Sequence, residues 1–169
     1  MYFVGIDNGF QGAIAVIDDS LKINNILKYP RDNIKVIYDF LNPYAIYGHV
    51  FAVIEKPFRN PQIGMEKTFQ IFGQYEMAFK SLGIKFETAE PRLNMRDSWR
   101  KEFNFKSKDT KSLKHESVEM CNMLFDGRSD VWLRQQKKNI KSRVEYTLPD
   151  DNISDALLLA LYAQRIYCK

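Results

Sequence analysis

A chain of 169 residues with 45% hydrophobic and 14% aromatic content can bury one sizeable core and is too apolar for intrinsic disorder. No apolar run approaches the ~18 residues that span a bilayer, the opening Met1-Tyr2-Phe3-Val4 lacks the regions of a secretory signal, and Cys121 and Cys168 make neither a disulfide framework nor a zinc site. We therefore expect a soluble, cytoplasmic chain forming a single domain over residues 1–169. The net charge of +4 is uneven: residues 92–143 carry 14 Lys and Arg against 7 Asp and Glu, and the remainder is acidic. That is the outline of a protein that binds a polyanion and keeps carboxylates for another purpose, although a solvated surface would account for it equally well.

Along the chain, Tyr2 to Ile6 is an apolar run that ends on Asp7. Asn8-Gly9 and Gly12 mark a turn, and Ala13 to Ile17 is a second apolar run. Two β-rich runs joined by a glycine-containing loop predict a hairpin. Ile23 to Tyr29 is a third, less apolar strand suited to a sheet edge. Ile34, Ile37, Tyr38 and Leu41 fall at helical spacing, and Pro43 is expected to stop that helix. Val50 to Ile54 is a β-branched strand closed by Glu55. A loop with Pro57, Pro61 and Gly64 follows. Phe69, Phe72, Met77, Phe79 and Leu82 then predict a helix buried on more than one side and ended by Gly83.

Ile84 to Ala89 reads as one more strand, and Pro91 as the opening of a helix that includes Trp99. Leu113, Val118, Met120 and Cys121 suggest another helix. Residues 126–146 are basic and poorly patterned. Pro149-Asp150-Asp151 starts a final helix running through Ala163. Strands first, then strands alternating with helices, predict an α/β domain whose mixed sheet is flanked by helices.

Four carboxylates stand in telling places. Asp7 and Glu55 each follow a buried strand, where a rigid scaffold can present side chains to a ligand; either one alone reads better as a surface cap. Asp151 and Asp155 are one helical turn apart on nearly the same face. Like charges at that spacing repel by a few tenths of a kcal/mol unless a cation lies between them. Asp150 points elsewhere and is expected to be the N-cap. Two acids from strand ends and two from one helix start can converge on an oxygen-only site, which suits Mg²⁺ or, as a substitute, Mn²⁺. Two such ions ~4 Å apart can activate a water and stabilise the leaving oxygen of a phosphodiester.

Gly5-Ile6-Asp7-Asn8-Gly9, Ile54-Glu55-Lys56-Pro57-Phe58 and Asp151-Asn152-Ile153-Ser154-Asp155-Ala156-Leu157 resemble the three acidic motifs of RuvC-type Holliday junction resolvases. Between them, Pro61-Gln62-Ile63-Gly64, Phe69 and Phe72-Gly73 are similar to the family's second-motif loop and following helix. The resemblance is best to bacteriophage members and covers most of the chain in order. It implies an RNase H-like fold, a homodimer and a four-way DNA junction as substrate. It also implies that Asp7, Glu55, Asp151 and Asp155 bind metal, with two Mg²⁺ per active site. Phe58 matches an aromatic that pries apart stacked bases at the crossover. Lys111 falls where the family carries a catalytic basic residue near the scissile phosphate, with Lys106 and Lys108 as neighbouring candidates for DNA contact. The chain departs from the bacterial pattern in its last two acids. A spacing of three is common there, a position held here by Asn152, and the spacing here is four.

Arg134, Lys137, Lys138, Lys141 and Arg143 form a stronger basic run suited to a DNA arm. Phe69 and Phe72 suit core or dimer interface, and Trp99 and Trp132 suit packing. Together these features predict a Mg²⁺-dependent endonuclease that resolves branched DNA in recombination, replication or packaging. Two other readings stay open: a nuclease of the same fold acting on RNA–DNA hybrid, and a junction-binding module with vestigial acids. The Asp7-to-Gly9 hairpin also resembles the phosphate loop of actin-fold phosphotransferases, but that fold needs two such domains and the chain is too short.

Overall fold

The computed structural model describes residues 1–9, 11–28, 30, 33–57, 65–107, 109–127, 132–133, 136–138, 144–146 and 149–168. Tyr2–Asp7 (β1) and Ala13–Asp18 (β2) pair antiparallel, with Asp7 opposite Ala13. Both are buried on both faces along their middles, as their continuous apolar sequence requires. Ile23–Lys28 (β3) pairs with β2 and stands at the sheet edge, which explains its interrupted pattern Ile-Asn-Asn-Ile. On the other side of β1, Val50–Glu55 (β4) runs parallel to it with Ile6 beside Ile54, and Lys85–Ala89 (β5) runs parallel to β4. The order is β3-β2-β1-β4-β5. Asp7 and Glu55 are therefore the terminal residues of two adjacent parallel strands.

Alternate residues of the central strands feed two cores. Val4, Ile6, Val16, Ala52 and Ile54 pack beneath Ile34–Tyr47 (α1) and Met65–Leu82 (α2). Phe3, Ala15, Ile17 and Val53 pack beneath Thr110–Leu124 (α4) and Asp151–Tyr167 (α5). The short Trp99–Glu102 helix (α3) closes that second layer. Gln136–Lys138 (β6) and Val144–Tyr146 (β7) pair as a separate antiparallel ribbon within the segment that has no legible pattern.

Three expectations are corrected. Helix α1 runs through Pro43 to Tyr47. Losing one backbone hydrogen bond to Asp39 is outweighed by Phe40, Tyr44 and Ala45 packing on the core, with the Tyr44 ring 5.1 Å from that of Tyr2. Pro91 opens no helix. Residues 91–98 are irregular because Glu90 folds back to bridge Ser98 and its carboxylate accepts from the Arg92 backbone and guanidinium, so helix starts only at Trp99. Helix α2 buries one stripe, Ile71, Tyr75, Ala78 and Phe79, while Phe69 and Met77 are exposed. The predicted stop at Gly83 holds: its φ of +66° is a left-handed conformation that favours glycine.

Candidate active site

The acids come together because helix α5 crosses β1 at close range. Gly5 lies directly under it: a Cβ there would sit 2.0 Å from the carbonyl oxygen of Ala156 and 2.2 Å from the Ala160 nitrogen. Only glycine permits that approach. With Ala156 to Ala160 seated over Gly5, the start of α5 stands at the end of β1 that carries Asp7. Asp150 caps the helix as expected, accepting from the Asn152 and Ile153 N–H groups, and its other oxygen pairs with Lys28. Asp151 and Asp155 are thereby left to face the strand ends.

The charges feel one another. Burial, followed by the negative charges of Glu55 and Asp155, raises the Asp7 carboxyl well above the usual carboxylate range. Burial pushes Glu55 up to about 7, and the Arg100 guanidinium and Trp99 indole only partly offset it. Burial also raises Asp155, against the pull of Arg100 and Ser117. Arg100 lies among them, its guanidinium 2.7 Å from Asp155 Oδ2 and 3.9 Å from Glu55 Oε2. Trp99, fully buried, donates from Nε1 to Glu55 Oε2 at 3.0 Å. Ser117 on α4 donates to Asp155 Oδ1 and lies 2.9 Å from the Ser154 hydroxyl. Lys114, also on α4, pairs with Asp151 at 2.7 Å.

Beside Asp7, the Asn8 side chain is 7% exposed and both its polar atoms lack a partner, as does the hydroxyl of fully buried Tyr75. A half-buried carboxylate cluster with orphaned polar neighbours suits a hard cation by donor chemistry: oxygen ligands only, with Asp7, Glu55, Asp151 and Asp155 the residues that would hold it. Among the described residues, though, no three Asp, Glu, His or Cys side chains are gathered closely enough to hold an ion as they stand.

Solved structures share this architecture. Thermus thermophilus RuvC superposes with a TM-score of 0.61 at 15% identity, over 99% of this chain and 96% of that one. The same protein in complex with Holliday junction substrate gives 0.59 at 15% identity, over 99% and 96%. The yeast mitochondrial Holliday junction resolvase Ydc2 gives 0.52 at 17% identity, over 96% of this chain and 77% of that one. The chain has the RuvC-type resolvase fold. No family model matches the sequence, and no curated protein is similar to it in sequence.

On that RuvC-like frame, the sequence-predicted basic residues that the structure describes lie on different elements. Lys111 is exposed on the first turn of α4, and Lys114, one turn further on, pairs with Asp151. Lys106 is exposed, its backbone N–H donating to Glu116, and it lines a cavity of about 690 Å³ that also touches Glu55 and Arg100. Lys137 and Lys138 lie on β6, of which the backbone alone is described. Phe58, Lys108, Arg134, Lys141 and Arg143 lie outside the described residues. Arg100, Lys114 and Ser117 escape sequence reasoning, and Trp99 is more than the packing residue it seemed. Arg100 and Ser117 lie 55 and 38 residues from Asp155, and no local motif signals them. Their only trace is membership of the basic segment that precedes the last acidic motif.

Proposed function

We propose that this chain is a Mg²⁺-dependent, structure-selective endonuclease that resolves four-way DNA junctions, working as a homodimer in which residues 1–169 form one nuclease domain. The observation that carries the reading is the convergence of Asp7 and Glu55, from adjacent parallel strand ends, with Asp151 and Asp155, from the start of α5. It occurs on a fold shared with a resolvase solved on its junction substrate.

When bound, Mg²⁺ supplies an activated water and charge stabilisation for the leaving 3′-oxygen. The chain's part is placement. Asp7 and Glu55 are fixed by the sheet, whose strand ends cannot move independently. Asp155 is oriented by Ser117, and Asp151 by Lys114. Such preorganised groups lower the barrier without reorganising during the reaction. The basic residues around the cavity beside Glu55, including Lys101 and Lys106, supply the positive field that draws in the phosphate backbone. Hydrolysis leaves a 5′-phosphate and a 3′-hydroxyl. Two sites related by a twofold axis can then cut opposite strands of a symmetric junction.

The test is cleavage of a labelled immobile four-way junction beside a matched linear duplex and an RNA–DNA hybrid, in Mg²⁺ and in EDTA. Paired nicks confined to the junction and abolished by EDTA are the expected result. Cutting of the hybrid alone keeps the acids and removes the junction. Tight junction binding with no cutting in Mg²⁺ leaves a binding module.

A further inference from the structure

Resting on that reading of the acids, we infer that Arg100 is a built-in counter-ion that occupies Asp155 and Glu55 in the metal-free protein and must be displaced when a divalent cation binds. The geometry is specific. One guanidinium nitrogen lies 2.7 Å from Asp155 and 3.9 Å from Glu55, so a single cationic group spans two carboxylates from different elements. The second terminal nitrogen donates to the Pro91 carbonyl at 3.0 Å, and the guanidinium lies 4.7 Å from the centre of the Trp99 ring. Trp99 in turn donates to Glu55. Carboxylates brought this close would repel without a cation among them, and Arg100 is the cation the chain itself provides.

Its hold is incomplete. Arg100 Nε is buried without a hydrogen-bond partner, a cost that a permanent structural ion pair normally avoids. Carboxylates engaged by a guanidinium are not free to ligate, which accounts for acids that converge without forming a ready-made metal site. Room for the displaced side chain exists. Arg100 lines the cavity of about 690 Å³ that also includes Arg92, Lys101 and Lys106, so a released guanidinium joins a basic wall where a phosphate would lie. Arg100 is thus a positioning residue. It offsets the repulsion between Asp155 and Glu55 in the metal-free protein, and it lowers the metal affinity by competing for two ligands.

The experiment compares Mn²⁺ binding by calorimetry, and melting in EDTA, for the wild-type chain, Arg100→Gln and Arg100→Lys. Arg100→Gln should bind Mn²⁺ about tenfold more tightly than wild type and melt at a lower temperature in EDTA at pH 8, with the gap closing when Mn²⁺ is added. Arg100→Lys, which keeps the charge and loses the fork, should fall between. Binding by Arg100→Gln that is unchanged or weaker overturns the inference. Should that variant not fold, the readout moves to Trp99 emission in a Trp132→Phe background titrated with Mg²⁺. Emission should shift as the guanidinium leaves the ring, and a flat signal in a protein that binds Mn²⁺ by calorimetry overturns the inference. If neither wild type nor Arg100→Gln binds Mn²⁺, both this inference and the metal site fail. If the Mn²⁺ affinities behave as stated but the junction is not cut, the role of Arg100 stands and the proposed activity fails.

Discussion

Glu55 holds the most informative ionisation in the molecule. Its carboxyl is pushed up to about 7, chiefly by burial, and Asp7 and Asp155 move in the same direction. Between the ordinary carboxylate range and pH 7, the folded chain therefore holds protons that the unfolded chain has released. Stability in the absence of metal falls as pH rises through that window. In EDTA, melting at pH 8.5 should lie several degrees below melting at pH 5.5, and saturating Mg²⁺ should flatten or reverse the difference. A melting temperature that ignores pH in EDTA would contradict this account. The same acids should be needed for chemistry and dispensable for binding. Asp7→Asn or Glu55→Gln should cut the cleavage rate by at least the 10²–10³-fold typical of losing one preorganised electrostatic group, with junction affinity retained in a gel-shift assay. Cleavage at the native rate by either variant would remove that acid from the mechanism.

At the scale of elements, the site depends on one crossing, that of α5 over β1 at Gly5. Gly5→Ala would place a methyl inside the backbone of Ala156 and Ala160. No side chain can yield there, so the helix must lift. We expect a loss of about 3 kcal/mol or more, at the upper end of overpacking costs, measured by urea denaturation, with cleavage lost in proportion as Asp151 and Asp155 withdraw from Asp7. A variant as stable as the parent would mean that α5 can shift freely. The elements legible in the sequence were those with a strong local signal: the twice-buried strands, the Asp150 cap and the Gly83 stop. Pro43 misled because the packing of Tyr44 and Ala45 on the core outweighs one missing hydrogen bond. Pro91 misled because a long-range choice, the fold-back of Glu90 onto Arg92 and Ser98, takes the residues that a helix would have used.

For the whole molecule, a homodimer would give a purpose to apolar side chains that the single chain leaves exposed. Phe69 is 40% and Met77 59% exposed on α2; eight residues apart, they lie roughly 80° from each other around that helix. If α2 is the shared face, Phe69→Asp with Met77→Asp should turn a dimer into a monomer by sedimentation velocity and leave the melting temperature nearly unchanged, since neither side chain enters the core. Paired cutting should then decay into single nicks. Unchanged sedimentation as a dimer would place the interface elsewhere.

What the sequence determined by itself is a set of local certainties. They are continuous apolar runs that must be buried strands, carboxylates at their ends, a capped helix with two acids one turn apart, and a basic segment set against an acidic remainder. Strand burial and helix periodicity are properties of neighbouring residues, so they are visible along the chain. Only the tertiary structure decided which groups surround those acids. Arg100, Trp99, Lys114 and Ser117 reach the site across 37 to 55 residues of sequence, brought there by α3 and α4. Contacts at that separation leave no periodicity to read. They exist because burying several like charges demands cationic and hydrogen-bonding partners, which α3 and α4 supply here, and the fold determines which residues serve.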